Sequence, residues 1–152
     1  LNFVKNQDEI KTARADLEIL ACYPVMAQLR PHLGSDDFLA QVKRQAADLG
    51  FQLVYLAKQG DVMAVAGIRI GEWLSGGKYL EIEDLVTSEN ARSTGHGGRL
   101  FDWIVEMSKA EGCSEVRLVS NVTRYGAHRF YLNKRMKIQA HYFSMDLSVA
   151  QA

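Results

Sequence analysis

The stretch Leu85-Val86-Thr87-Ser88-Glu89-Asn90-Ala91-Arg92-Ser93-Thr94-Gly95-His96-Gly97-Gly98-Arg99-Leu100 constrains this chain more than any other, because it joins an alternating apolar segment to an amphipathic one through three closely spaced glycines. Upstream, Tyr79 to Thr87 alternates as a strand, with Leu80, Ile82, Asp84 and Val86 on one side and Tyr79, Glu81, Glu83 and Leu85 on the other. Downstream, His96 to Ala110 reads as a helix whose Leu100, Trp103, Ile104 and Met107 can cover a sheet, and Gly112 ends it. Strand, glycine turn and helix N-terminus together suit an anion. The backbone can approach a ligand closely, successive N–H groups converge, and the helix dipole adds to them. The expected seat is Arg92 to Gly97. Taken alone, the glycines fit equally well a turn that merely reverses the chain. Neither GxxxxGK[ST] nor a GxGxxG abutting a strand and followed by an acidic residue is present, which disfavours a kinase or a dehydrogenase.

The rest of the chain reads as one α/β domain over residues 1–152, with residues 1–8 as a short extension. A helix is expected near Asp16, with Asp16 as its N-cap, carrying Leu17, Leu20, Val25 and Leu29, kinked or restarted at Pro24 and stopped before Pro31. Ser35 to Leu49 predicts a second helix. Phe51 to Ala57 and Val62 to Ile70 predict a hairpin about Gln59-Gly60-Asp61. After the glycine turn and its helix come a short strand at Val116 to Val119, a helix at Tyr125 to Lys134 and a final strand at Met136 to Leu147. That last strand offers an edge for pairing two copies as a homodimer. Eighteen basic residues balance eighteen acidic ones, so no broad field draws the protein to nucleic acid or an anionic membrane. Cys22 and Cys113 stand far apart without ligand spacing, which fits a reducing cytoplasm and argues against a metal framework. No apolar run approaches a membrane span.

Arg92-Ser93-Thr94-Gly95-His96-Gly97 matches the [RQ]-x-x-G-x-[GA] motif of the GNAT superfamily of N-acetyltransferases, which the chain resembles. Glu81-Ile82-Glu83-Asp84-Leu85-Val86 looks like that family's fourth strand, and Ala127-His128-Arg129-Phe130-Tyr131-Leu132 like its fourth helix. The resemblance implies a mixed, mostly antiparallel sheet flanked by helices, with splayed fourth and fifth strands. It also implies acetyl-CoA as co-substrate, no metal, and direct transfer to an amine, either a small molecule or a protein lysine. A non-catalytic acyl-CoA-binding module is the alternative.

On the same resemblance, backbone groups of Leu85, Val86 and Thr87 would hold the pantetheine arm. The N–H groups of Arg92, Ser93, Thr94, Gly95, His96 and Gly97, with Gly98, would hold the pyrophosphate, and the Arg92 and Arg99 side chains could reach the phosphates. Arg99 could equally be a solvated helix residue. Asn121 matches a position that bonds the pantetheine arm, although a plain turn residue would look the same. Tyr131 matches the general acid that protonates the departing thiolate, against packing as the simpler role. Glu83, then Glu81, are candidates for the base that takes the amine proton; the alternative is that they bind a cationic substrate or sit solvated. His128 is a weaker candidate. The chain departs from the family where Arg135-Met136 replaces a Gly-Phe pair at the end of the fourth helix, and where a proline is missing near Ser88-Glu89.

Overall fold

A computed structural model of the chain describes residues 8–148. Most of the expected extension, residues 1–7, lies outside them. Contacts divide the chain after Leu118 into two units. The first unit holds β1 (Glu9–Thr12), α1 (Asp16–Leu29), α2 (Ser35–Asp48), β2 (Phe51–Lys58), β3 (Asp61–Trp73), β4 (Gly77–Thr87), a short 3-10 turn (Glu89–Ala91), α3 (His96–Ala110) and β5 (Glu115–Leu118). The second holds α4 (Tyr125–Asn133).

The sheet runs β1-β2-β3-β4-β5, antiparallel except for the parallel β4-β5 pair. The β2-β3 turn is made by two left-handed residues, Gln59 at φ 52° and Gly60 at φ 86°, of which only the second is a glycine. β1 was not expected: four largely polar residues carry little strand signal, and they pair only as an edge, Ile10 opposite Leu56. Asp16 is the first residue of α1 and not its cap; the cap is Ala15, whose N–H donates to the Glu18 carboxylate at 3.2 Å. It continues through Pro24 without a break and turns Ile19, Cys22, Val25 and Met26 inward, while Leu17 is exposed. One side of the sheet packs these residues with Phe38 and Val42 of α2 against Phe51, Leu53, Val65 and Val86. The other carries buried Val54, Leu56, Ala66, Ile68, Leu80 and Ile82 with Leu100, Phe101 and Ile104 of α3.

The strict alternation read along β4 does not hold. Gly67 pairs with Asp84 and Ile68 with Ile82, so Glu83 is an inserted residue, a β-bulge. One extra residue exchanges the faces of everything beyond it. Asp84 and Val86 therefore join Glu81 and Arg69 on the α1-α2 side, and Leu85 joins Leu80 and Ile82 on the α3 side. Gly67 makes this possible: a Cβ there would stand 2.5 Å from an Asp84 oxygen and 2.7 Å from the Phe51 ring.

The final strand is also absent, since Met136 to Ser148 carries no helix or strand. Its alternation changes phase at Tyr142-Phe143, so no single face collects the apolar residues, and Ile138, Tyr142, Phe143, Met145 and Leu147 are all exposed. Pairing of two copies through a final strand has no strand to rest on among the described residues.

Candidate active site

At the head of α3 the backbone does what the glycines allow. Arg92 is extended, Ser93 and Gly95 are left-handed at φ 65° and 83°, and Gly95 caps the helix with no side chain bonded to its first amides. The amides of His96 and Gly97, at the very start of the helix, head the turn and are donors of the kind that suits an anion. A Cβ on Gly95 would meet nothing within 4 Å, so its demand is conformational and the space beside it is open. Gly97 differs: a Cβ there would stand 2.6 Å from the Thr87 hydroxyl, so this glycine lets α3 pack close to the end of β4.

The side chains of the turn have separate tasks. The Thr94 hydroxyl donates to the Ala91 carbonyl and touches Nδ1 of His96, which is only 4 % exposed and whose Nε2 has no partner among the described residues. The His96 ring is therefore buried on the Leu100 stripe, with Nδ1 against the Thr94 hydroxyl of the turn. Arg92 is exposed and sits 3.8 Å from Glu89, while Arg99 is engaged by Asp8.

Immediately before the turn, β4 outruns its parallel neighbour. Pairing with β5 ends at Ile82 opposite Leu118, whereas pairing with β3 continues to Thr87 opposite Ala64. Leu85, Val86 and Thr87 thus lack a strand partner on the β5 side among the described residues, and unpaired backbone along a strand is available to an extended ligand.

The carboxylates lie on the α1-α2 side in different surroundings. Glu81 reaches Arg117 at 3.5 Å, and that guanidinium lies between the rings of Trp73 and Tyr79 at 3.9 and 3.6 Å. Glu83 is held by Arg69 through both oxygens, at 2.7 and 3.4 Å, which leaves a lone pair on each. Asp84 accepts from Nε and Nη2 of Arg30 at 2.8 Å each. Burial holds the Asp84 carboxyl above its ordinary 3.8, with Arg30 working against the rise. Glu83 and Asp84, but not Glu81, line a cavity of about 370 Å³ with Arg30, His32, Gln41 and Gln45. Sequence reasoning missed Asp84, Arg30 and Arg69. A glycine inside a strand, Gly67, was the available sign of a bulge.

In the second unit, Asn121 acts as a turn residue: its side-chain oxygen accepts from Thr123 N at 3.0 Å and Thr123 Oγ1 at 2.8 Å. His128 ties α4 to that turn through the Asn121 carbonyl at 2.8 Å. Tyr131 is half-buried, and burial raises its hydroxyl above the usual 10. Helix α4 ends on Arg135 at φ 65°, with Arg135 N bonded to Leu132 O and Met136 N to Tyr131 O, both at 3.0 Å. This is the left-handed ending a glycine would give, so the helix end keeps its shape without one.

Among the described residues no cluster of His, Cys, Asp or Glu is placed to hold a metal ion, and no helix is long and apolar enough to cross a membrane. Burial pushes the Cys22 thiol up to about 12, which removes it as a nucleophile.

Residues 17–136 match the acetyltransferase (GNAT) family model. The chain is 31% identical over 112 residues to YhdJ, an uncharacterized N-acetyltransferase of Bacillus subtilis, covering 74% of this chain and 79% of that one. It is 29% identical over 86 residues to the aminoalkylphosphonate N-acetyltransferase of Salmonella typhimurium, covering 56% of this chain and 55% of the relative. A solved aminoglycoside N-acetyltransferase in complex with CoA superposes with a TM-score of 0.79 at 12% identity, over 97% of this chain and all of that one, a likeness of fold.

Proposed function

This chain belongs to the acetyltransferase (GNAT) family, and from that premise we propose that it moves an acetyl group from acetyl-CoA to a primary amine by direct transfer in a ternary complex. The observation that carries the proposal is the start of α3 at left-handed Gly95, which supplies no capping side chain, shortly after a strand whose end has no strand partner on the β5 side among the described residues. The amides of Arg92 to Gly97, with Gly98, hold the pyrophosphate, and the backbone of Leu85, Val86 and Thr87 holds the pantetheine arm. Arg92 adds charge from an exposed position, whereas Arg99 must leave Asp8 to do so.

An alkylammonium resembles Lys, with a pKa of about 10.4, so the acceptor must lose a proton before it attacks. Glu83 takes that proton on a lone pair left by Arg69. The amine nitrogen forms a bond to the thioester carbonyl carbon, the carbon–sulfur bond breaks, the thiolate takes a proton from Tyr131, and the second proton shed by the new amide nitrogen restores the tyrosine hydroxyl. The products are an amide and free CoA. Tyr131 is protonated at neutral pH as an ordinary phenol is, and burial shifts its hydroxyl further in that direction. No covalent acetyl-enzyme is needed, in keeping with an unreactive Cys22. The chain acts as one acetyltransferase domain over 1–152, in the cytoplasm, where Cys22 and Cys113 stay as free thiols.

Thiol release from acetyl-CoA, followed with and without amines, tests the reaction. Amine-dependent release with acetylated amine as product is expected. Acetyl-CoA binding without release for any amine class would instead indicate an acyl-CoA-binding module.

A further inference from the structure

The cavity beside the β4 bulge carries both signs of charge, and they balance. Glu83, Asp84 and Arg30 line it, Arg30 pairs with Asp84, and Arg69, which is not part of the lining, pairs with Glu83. A polycation finds no surplus negative charge here, because each carboxylate already has a guanidinium partner. Arg30 is not used up by its partner. Nε and Nη2 go to Asp84, and Nη2 also reaches the Glu83 carbonyl at 3.3 Å, but Nη1 has no partner among the described residues and the side chain is 40 % exposed. Across from it, Gln41 and Gln45 lie one turn apart on the α2 face that also carries buried Phe38 and Val42, and His32 stands on the α1-α2 connection. A positive fork, amide donors and an imidazole next to two carboxylates form a site for a molecule with two opposite charges. The volume, about 370 Å³, is at the small end for ligand pockets.

Resting on acetyl transfer to an amine at this site, we propose that the acceptor class is a short zwitterionic amine: its ammonium group meets Glu83, and a carboxylate or phosphate a few bonds away meets Nη1 of Arg30. The spacing must be short because the two groups adjoin, with Arg30 bonded at once to Asp84 and to the carbonyl of Glu83. An amine with an apolar tail would cover Nη1 and leave it without an acceptor, which a site built for an anion penalises.

Calorimetry with the CoA-bound protein measures this without turnover, so the outcome stands apart from whether acetyl transfer occurs, which thiol release reads separately. The probes are O-phosphoethanolamine and β-alanine against propylamine and spermidine. A charged hydrogen bond at a partly exposed site predicts about tenfold tighter binding of at least one zwitterion than of either comparison amine. Arg30→Lys keeps a cation beside Asp84 but removes the fork, and should bring the four amines within about threefold of one another without changing acetyl-CoA affinity. Equal or tighter binding of propylamine or spermidine by the unaltered protein would overturn the inference. So would a zwitterion preference that survives Arg30→Lys in full.

Discussion

At the scale of single residues, the proposed chemistry rests on Glu83 and Tyr131. Replacing Glu83 by Gln removes the proton acceptor but keeps a hydrogen-bonding group against Arg69. Turnover should fall by about tenfold to a hundredfold with acetyl-CoA affinity intact, and part of the loss should return as pH rises and more amine is neutral. Glu81→Gln should do less, because Glu81 reaches Arg117 and does not line the cavity. A pH-independent loss at Glu83, or a larger loss at Glu81, would contradict that order. Tyr131→Phe keeps the ring and deletes the acid, so kcat should drop about 10²–10⁴-fold, toward the low end for a thiolate leaving group. Since burial raises the Tyr131 hydroxyl, the alkaline limb of kcat should lie above 10 and should disappear in the Phe variant. Single-turnover rates within about threefold of the parent would assign the proton to another donor. The two glutamates and the tyrosine could be nominated from the sequence because carboxylate and phenol chemistry attaches to residue type and motif. The arginines that hold Asp84 and Glu83 could not, because Arg30 and Arg69 lie 54 and 14 positions from them along the chain.

Among the elements, strand and helix boundaries followed from periodicity and glycine positions: α3 spans His96–Ala110 as its pattern predicts, and α2 and β2 differ from expectation only at their ends. The bulge in β4 was not legible, because a period-2 pattern contains no mark for an inserted residue; only Gly67 on the neighbouring strand hints at it. Gly67→Ala tests that reading. Its Cβ would press on Asp84 and Phe51, so stability should fall by about 1–3 kcal/mol, with acceptor KM raised more than acetyl-CoA KM. An unchanged denaturation midpoint and unchanged kinetics would show that the bulge does not depend on the glycine. The end of α4 gives the opposite experiment. Arg135 holds a left-handed conformation that costs a side-chain-bearing residue about 1–2 kcal/mol. Arg135→Gly should therefore raise the denaturation midpoint, by somewhat less than that cost because glycine gains freedom in the unfolded chain. A lowered midpoint would mean that the arginine side chain contributes more than the strain.

For the molecule as a whole, a ligand that binds only the folded state must stabilise it. At about a hundredfold excess over Kd the gain is about 2.7 kcal/mol, which for a chain of this length corresponds to about 5–10 °C in Tm. The sequence pointed to Gly95 and Gly97 as the seat proposed for that ligand. Only the coordinates separate their tasks, an open left-handed cap at Gly95 and close strand packing at Gly97. That difference selects the variant. Asn and Asp both tolerate the left-handed region better than other side chains, and both fit the open space at Gly95, but Asp brings a negative charge to the amides assigned to pyrophosphate. The most direct measurement is thermal denaturation of the parent protein, Gly95→Asn and Gly95→Asp, each with and without saturating acetyl-CoA. If the α3 turn holds acetyl-CoA, the parent rises by about 5–10 °C, the Asn variant keeps most of that rise, and the Asp variant loses nearly all of it while remaining folded. A parent protein unmoved by acetyl-CoA, or an Asp variant stabilised as much as the parent, would contradict it.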